Sequence, residues 1–433
     1  MGTGVTRAPS YDDGRGCRRT MSWPTRRGRT EGDDVDPSFD PTVTLPPDEV
    51  HDRNDEVRAI DHIPEVMTEV PGRPAVYFVA QHADVCAAAR DAAAYRQAGF
   101  TLEPQDVPND HKVLSHLDGE LHAAARRGFQ QLITPRRMKE YEPVVSACFA
   151  EAFDALAANG GGDVITEISQ PVPAKIIGIL ADVEEDVLPN VATYAADYVD
   201  SIFRPAPGLG EKVRAFDDHI RDLIASRRAD AASGEDWISL LLQTTDEEGK
   251  PFSDARLTTM FTKDILVGGS ETTTNVMAKL FLTLAEDPEL FASLRKDPEL
   301  IPAAAEEALR VFPPLPVLYR RAADDVELHG TTVPRGATVA LGVESANFDP
   351  DPFPEPRCFA LDRGNAGRRH LTFGHGPHLC VWAPLARLEL VTLLQQLVAR
   401  FSAISVAPGF TPEWIDRMRI LQLPHLELVV EPA

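Results

Sequence analysis

The chain has 433 residues, 43% of them hydrophobic and 25% charged, enough for a substantial core in one large domain or in two or three small ones. Its formal charge of −24, from 43 basic against 67 acidic residues, argues against a nucleic-acid binder or an anionic-membrane binder. Five cysteines, Cys17, Cys86, Cys148, Cys358 and Cys380, are scattered without CxxC pairing, which speaks against a zinc cluster or a disulfide framework and suits a reducing cytosol.

Residues 1–45 are polar, rich in Arg and Gly, and lack the apolar segment of a secretory signal. They are read as a disordered tail, with Met21 as an alternative start. No apolar run reaches 18 residues, so no membrane helix is expected. The stretch 75–79 reads as a short strand leading into a helix. From residue 120 to about 230 helical periodicity dominates, with a stop at Gly160, Gly161 and Gly162. "SDARLTTMFTKDILVGGSETTTNVMAKLFLTLAEDPEL" reads as one helix of about 30 residues, near 45 Å long at 1.5 Å per residue. A second helix, "PELIPAAAEEALRVFPP", stops at Pro313 and Pro314, and "VELHGTTVPRGATVALGV" reads as short strands with hairpin punctuation. The fold class is therefore mainly α with a minor β portion.

After a Pro-rich meander comes "HLTFGHGPHLCVWAPLARLEL". A lone cysteine is usually a small buried hydrophobe, but these surroundings are unusual. Gly374 and Gly376 permit a tight turn, Pro377 stiffens it, and a helix begins just after Cys380. Amide N–H groups and the positive end of that helix then point at the sulfur, which favours thiolate. Such a thiolate is a nucleophile, with His378 as the near base, or a metal ligand. No second Cys or His lies at chelate spacing, so a metal here would bring its own equatorial ligands, as haem does.

"FGHGPHLC" resembles the cysteine-ligand loop of the cytochrome P-450 haem-thiolate monooxygenases, with Phe373, Gly376, His378 and Cys380 in place. One position departs from that family: Trp382 stands where a glycine is usual. The resemblance covers roughly residues 50–430 and rests on three further segments in the same order. "LVGGSETTT" places two glycines inside a helix, each costing roughly 1 kcal/mol against Ala, and resembles the family's oxygen-binding stretch, with Glu271 and Thr272 as its acid–alcohol pair. "EEALR" sets Glu307 and Arg310 on one helical face and resembles a buried structural pair that meets an arginine from the meander. That arginine usually precedes the last Phe of the meander, where this chain has Cys358; Arg357 is one residue away. "DGELHAAARRGFQQLITPRRM" resembles the helix at the haem edge, with His122 and Arg126 at i and i+4. Haem carries two propionates, and burying carboxylates demands cationic partners; Arg320 and His378 fall where the family supplies the others.

The resemblance implies a single haem domain over 46–433 with the triangular-prism fold, haem b ligated by Cys380, and insertion of one oxygen from O₂ into an organic substrate. Electrons are expected from a separate ferredoxin and its reductase, in the cytoplasm, with no nucleic-acid or membrane partner. The family's pocket is lined by segments matching 97–113, 195–203, 266–269 and 315–318. Leu266, Gly268, Gly269, Leu315 and Val317 are the expected lining, with Tyr194, Tyr198, Phe203 and Tyr319 available as aromatics. A medium-sized, hydrophobic or aromatic substrate from secondary metabolism is expected. Rival readings are oxidative ring coupling, peroxide-driven chemistry, and a non-catalytic haem-thiolate sensor or recruitment module. Trp382 is expected on the surface where a redox partner docks, because overpacking a tight core costs about 1–3 kcal/mol.

Overall fold

The computed structural model describes residues 47–66, 76–98, 107–184, 186–203, 206–229, 234–417 and 420–433; the tail expected at 1–45 lies outside them. Its elements in chain order begin with α1 (Pro47–Arg58), β1 (Glu65–Val66), β2 (Val76–Val79), α2 (His82–Arg90) and β3 (Tyr95–Gln97). Helices then dominate: α3 (Gly119–Gln130), α4 (Pro135–Asn159), the short β4 (Gly161–Asp163), α5 (Pro171–Leu180), α6 (Leu188–Phe203), α7 (Leu209–Ala229), α8 (Trp237–Leu242), α9 (Asp254–Thr259), α10 (Glu271–Glu286), α11 (Pro288–Lys296) and α12 (Ile301–Val311). The last third alternates β5 (Val317–Ala322), β6 (Val326–Leu328), β7 (Thr331–Val333), β8 (Thr338–Gly342), α13 (Val343–Asn347), α14 (Ala383–Arg400), β9 (Phe401–Val406), β10 (Ile415–Arg417), β11 (Ile420–Gln422) and β12 (Glu427–Pro432).

Local chemistry sets several of these boundaries. Thr134 caps α4 by accepting from the Arg137 amide, Pro135 opens it, and Gly160 ends it in a left-handed conformation at φ +68°. The main sheet runs β1-β2-β8-β5-β3, with β2 and β8 parallel and the other pairs antiparallel. A second sheet, β4-β12-β9, ties the C-terminus back to the end of α4. The larger core lies among the helices, where Phe149, Phe153, Phe281 and Phe401 pack edge or face against one another. A smaller core, with Val79, Val339 and Leu341, lies under the main sheet. No helix among the described residues is long and apolar enough to cross a membrane.

The central helix differs from the single α-helix expected. α9 gives way at Met260–Val267 to a π-helical segment, a turn follows at 268–270, and α10 resumes at Glu271. The glycines explain the break. A Cβ on Gly268 would lie 2.6 Å from the Asp264 carbonyl, and one on Gly269 would lie 2.7 Å from both Ile177 and the Ile265 carbonyl. Only glycine fits where the backbone turns this tightly.

Candidate active site

The cysteine loop is held by its own backbone. Gly374 donates to the Leu371 carbonyl at 2.8 Å, Leu379 to that of Gly376 at 3.1 Å, and Cys380 to that of Phe373 at 2.7 Å. Gly374 and Gly376 sit at φ +73° and +72°. A Cβ on Gly376 would strike the Ala89 carbonyl at 2.6 Å, so this glycine seats the loop on α2 and does not line the cavity. α14 starts three residues past the cysteine, as the sequence implies. Burial pushes the Cys380 thiol up; the Trp382 amide, Arg126 and the Ala383 amide pull it down without fully offsetting burial.

Cys380 opens onto a cavity of about 290 Å³. On one side lie Phe373, His378, Cys380, Trp382 and Leu385 of the loop and α14; opposite are Gly268, Gly269, Glu271 and Thr272 of the central helix. Val113, Leu114, Val199, Val267, Leu315 and Leu318 add apolar walls. Leu315, Gly268 and Gly269 are among the residues that line the cavity. Two expected lining residues do not. Leu266 is fully buried in the helical core, because the π register turns it away from the cavity. Val317 packs under the opposite face of the main sheet, since successive residues of β5 alternate sides. Tyr198 lines the cavity, whereas Tyr319 joins the core beside Val317. Tyr194 is buried against Phe216, at 4.2 Å between ring centroids. Residues 99–106 and the side chain of Phe203 lie outside the described residues.

The edge of the cavity gathers two histidines and two arginines. His122 and His378 lie against each other with ring centroids 3.9 Å apart and the rings tilted by 37°. Burial, with Arg126 adding, lowers the His122 pKa to about 4; burial, with His122 and Arg320 adding, lowers that of His378 to about 3. Both rings are neutral at pH 7. Arg126 donates to the Leu379 carbonyl at 2.7 Å. Arg320 is buried, donates to the Tyr319 carbonyl at 2.8 Å, and is pushed down to about 10 by burial. His122 Nε2 and His378 Nδ1 are buried polar atoms without a partner among the described residues. Buried polar atoms are normally satisfied, so two orphaned imidazole nitrogens beside two guanidiniums are what a ligand with buried carboxylates would complete. A thiol on one wall, an opened helix on the other and this edge together fit haem.

Behind the site, Glu307 receives Arg310 in a bidentate pair at 2.7 and 2.9 Å, fully buried. The third partner is Arg363, at 2.9 Å. Arg357, nearer the expected position, instead bonds Asp52 and Asp55 of α1 at 2.7 and 2.5 Å. Glu306 bonds His370 at 3.1 Å and Arg387 at 2.6 Å. Lys263 bonds both oxygens of Asp217 at 2.7 Å and also Tyr194, and lies over the Tyr198 ring at 4.4 Å. It thereby ties α6 and α7 to the central helix. The Lys263 cluster, Arg363 and Arg387 were not found from the sequence, because each bond joins segments far apart in the chain.

Trp382 is not on the surface. It is 6% exposed, stacks on Trp237 at 5.5 Å and 18°, and meets Phe129 edge-on at 6.0 Å. Its indole N–H donates to the Asp264 carbonyl at 2.8 Å. Overpacking is avoided because a slot between Phe129 and Trp237 accepts the ring.

Residues 193–427 match the family model "Cytochrome P450". The chain is 31% identical to 6-deoxyerythronolide B hydroxylase of Saccharopolyspora erythraea over 70% of this chain and 74% of that protein. It is 30% identical to erythromycin C-12 hydroxylase of the same organism, over 83% and 91%. A solved mutant of P450 EryK in complex with erythromycin B superposes with a TM-score of 0.77 at 26% identity, covering 88% of this chain and 96% of that one. The chain belongs to the cytochrome P450 family, in its bacterial branch. It is an oxidoreductase, a monooxygenase with a haem cofactor.

Proposed function

We propose that residues 46–433 form one domain that binds haem b in this cavity. With O₂, and with electrons from a ferredoxin and its reductase, it hydroxylates or similarly oxidises a medium-sized, largely hydrophobic or aromatic substrate. The observation that carries this reading is a single cavity joining Cys380, the orphaned nitrogens of His122 and His378, and the opened helix at Gly268–Thr272. Haem ligated by a thiolate activates O₂ by pushing electron density that favours O–O cleavage.

On this reading Cys380 would hold the haem iron through its sulfur, to which the amides of Trp382 and Ala383 are bonded. His122 and His378, each with an unpartnered ring nitrogen among the described residues, would donate to the propionates, while Arg126 and Arg320 would balance their charge. Phe373 packs at the loop wall, held by Arg387 4.6 Å above its ring. Glu271 and Thr272 hold and pass a proton into the cavity, a general-acid role that typically contributes roughly 10²–10⁴-fold. The apolar walls exclude water and hold the substrate. Relatives named as hydroxylases of 6-deoxyerythronolide B and of erythromycin at C-12 support hydroxylation of a secondary metabolite as the reaction class.

Reduced protein under CO is expected to show the red-shifted Soret band of thiolate-ligated haem, and Cys380→Ala to lose it. A band at the position of histidine-ligated haem overturns the ligand assignment.

A further inference from the structure

A π-helical turn leaves a carbonyl outside the regular ladder. In the central helix, Gly268 N–H bonds to the Lys263 carbonyl at 3.0 Å and Gly269 N–H to that of Ile265 at 2.9 Å. The two amides that would close a turn on the Asp264 carbonyl thus go elsewhere, and that carbonyl takes the indole N–H of Trp382. A buried carbonyl without a donor is costly, so the donor and the π register depend on each other. The indole is also fixed in place. It stacks on Trp237, whose own N–H is tied to the Tyr141 hydroxyl at 2.9 Å; that hydroxyl donates to the Leu132 carbonyl at 2.8 Å. Trp382 is two residues from Cys380 and lines the same cavity. The bond therefore joins the cysteine loop directly to the helix that faces it.

We infer that Trp382 is a positioning residue: its indole N–H holds the Asp264 carbonyl out of the helical ladder and so fixes how the segment before Gly268 faces the cavity relative to Glu271 and Thr272. The consequence for turnover rests on the proposed monooxygenase reading. One extra residue in a turn rotates everything before it by about 100°. Without the donor, Gly268 N–H returns to Asp264, the segment reverts towards α register, and Lys263 and Asp264 turn with it. The usual glycine at position 382 has no side chain to make this bond.

The test replaces Trp382 with 3-benzothienylalanine, which keeps the ring shape and puts sulfur where the N–H was, and in parallel with phenylalanine. Amide hydrogen exchange is followed in the haem-loaded protein. Peptides spanning 260–272 are expected to exchange at least fivefold faster in both variants, while peptides from α4 and the CO band stay as in the wild type. Exchange within twofold of wild type across 260–272 in the benzothienylalanine protein overturns the inference and leaves Trp382 as core filling. A wild-type protein lacking the thiolate CO band sinks the proposed function yet leaves the exchange comparison readable, so the two failures separate.

Discussion

Ser270, Thr272, Thr273 and Thr274 place four hydroxyls in five residues, and the structure divides their tasks. Ser270 donates to the Leu266 carbonyl at 2.6 Å and Thr274 to that of Ser169 at 2.7 Å, so both are committed to backbone. Thr272 and Thr273 face the cavity, with Glu271 beside them in the first turn of α10, where the positive end of the helix favours a carboxylate. Alanine at 272 removes the hydroxyl and keeps the helix, since Ala is the best helix former. Thr272→Ala is expected to keep haem and substrate binding but to cut product formed per electron consumed at least severalfold, the missing electrons appearing as hydrogen peroxide. Thr274→Ala, which loses a backbone tie only, leaves that ratio unchanged. Equal ratios in the Thr272 variant and the wild type would remove Thr272 from the proton route. These residues were readable in the sequence because glycines, threonines and an acid recur at fixed spacing. The destination of Trp382 was not: a side chain alone does not reveal that a carbonyl 118 residues earlier has been freed to receive it.

Among the elements, the junction of α12 with the meander shows the same division. Glu307 and Arg310 were legible because i and i+3 share a helical face. Arg363 was not, since it lies in a loop without periodicity and is selected only by where the meander folds. Glu307 Oε1 accepts from Arg310 at 2.7 Å, from Arg363 at 2.9 Å and from the Ala360 amide at 2.9 Å. Removing Arg363 leaves Glu307 paired with Arg310 alone and takes a donor from the Pro354 and Glu355 carbonyls; losing a hydrogen bond to a charged group typically costs about 1.5–3 kcal/mol. Arg363→Ala is therefore expected to lower unfolding stability by about that much, whereas Arg357→Ala, which breaks only exposed pairs with Asp52 and Asp55, should cost about 1 kcal/mol or less. Denaturant unfolding of both variants measures this, and the reverse order would show Arg357 to be the meander's anchor after all. The central helix was legible as a long apolar span with a weak point at its glycines. Its π segment was not, because the choice between registers is made by tertiary partners such as Trp382 rather than by the apolar period.

At the scale of the whole molecule, net charge misleads about local charge. The chain carries −24 overall, yet the helix at the cavity edge, the start of α4 and the approach to the cysteine loop each carry basic side chains. Arg136 is partly engaged, 3.7 Å from Glu140 and 3.6 Å from Glu235, Arg137 donates to the Glu235 carbonyl, and Arg368 lies 3.9 Å from Glu306. Arg127, Lys139 and Arg369 are exposed and have no ion pair within 4.0 Å among the described residues, which leaves their charge available to a partner. Ferredoxins are acidic, and on the proposed reading one docks here. Exposed charges attract across about 30 Å at 0.01 M salt but only about 8 Å at 0.15 M, and such steering raises association rates by roughly 10–10³-fold. The second-order rate of haem reduction by ferredoxin is therefore expected to fall about tenfold over that range of salt. Reversing Arg127 and Arg369 to glutamate should lower the rate at low salt and flatten its salt dependence, with the CO band unchanged. If the double variant keeps the wild-type slope, electrons enter at another face, and the molecule's acidic majority rather than this basic minority governs the encounter.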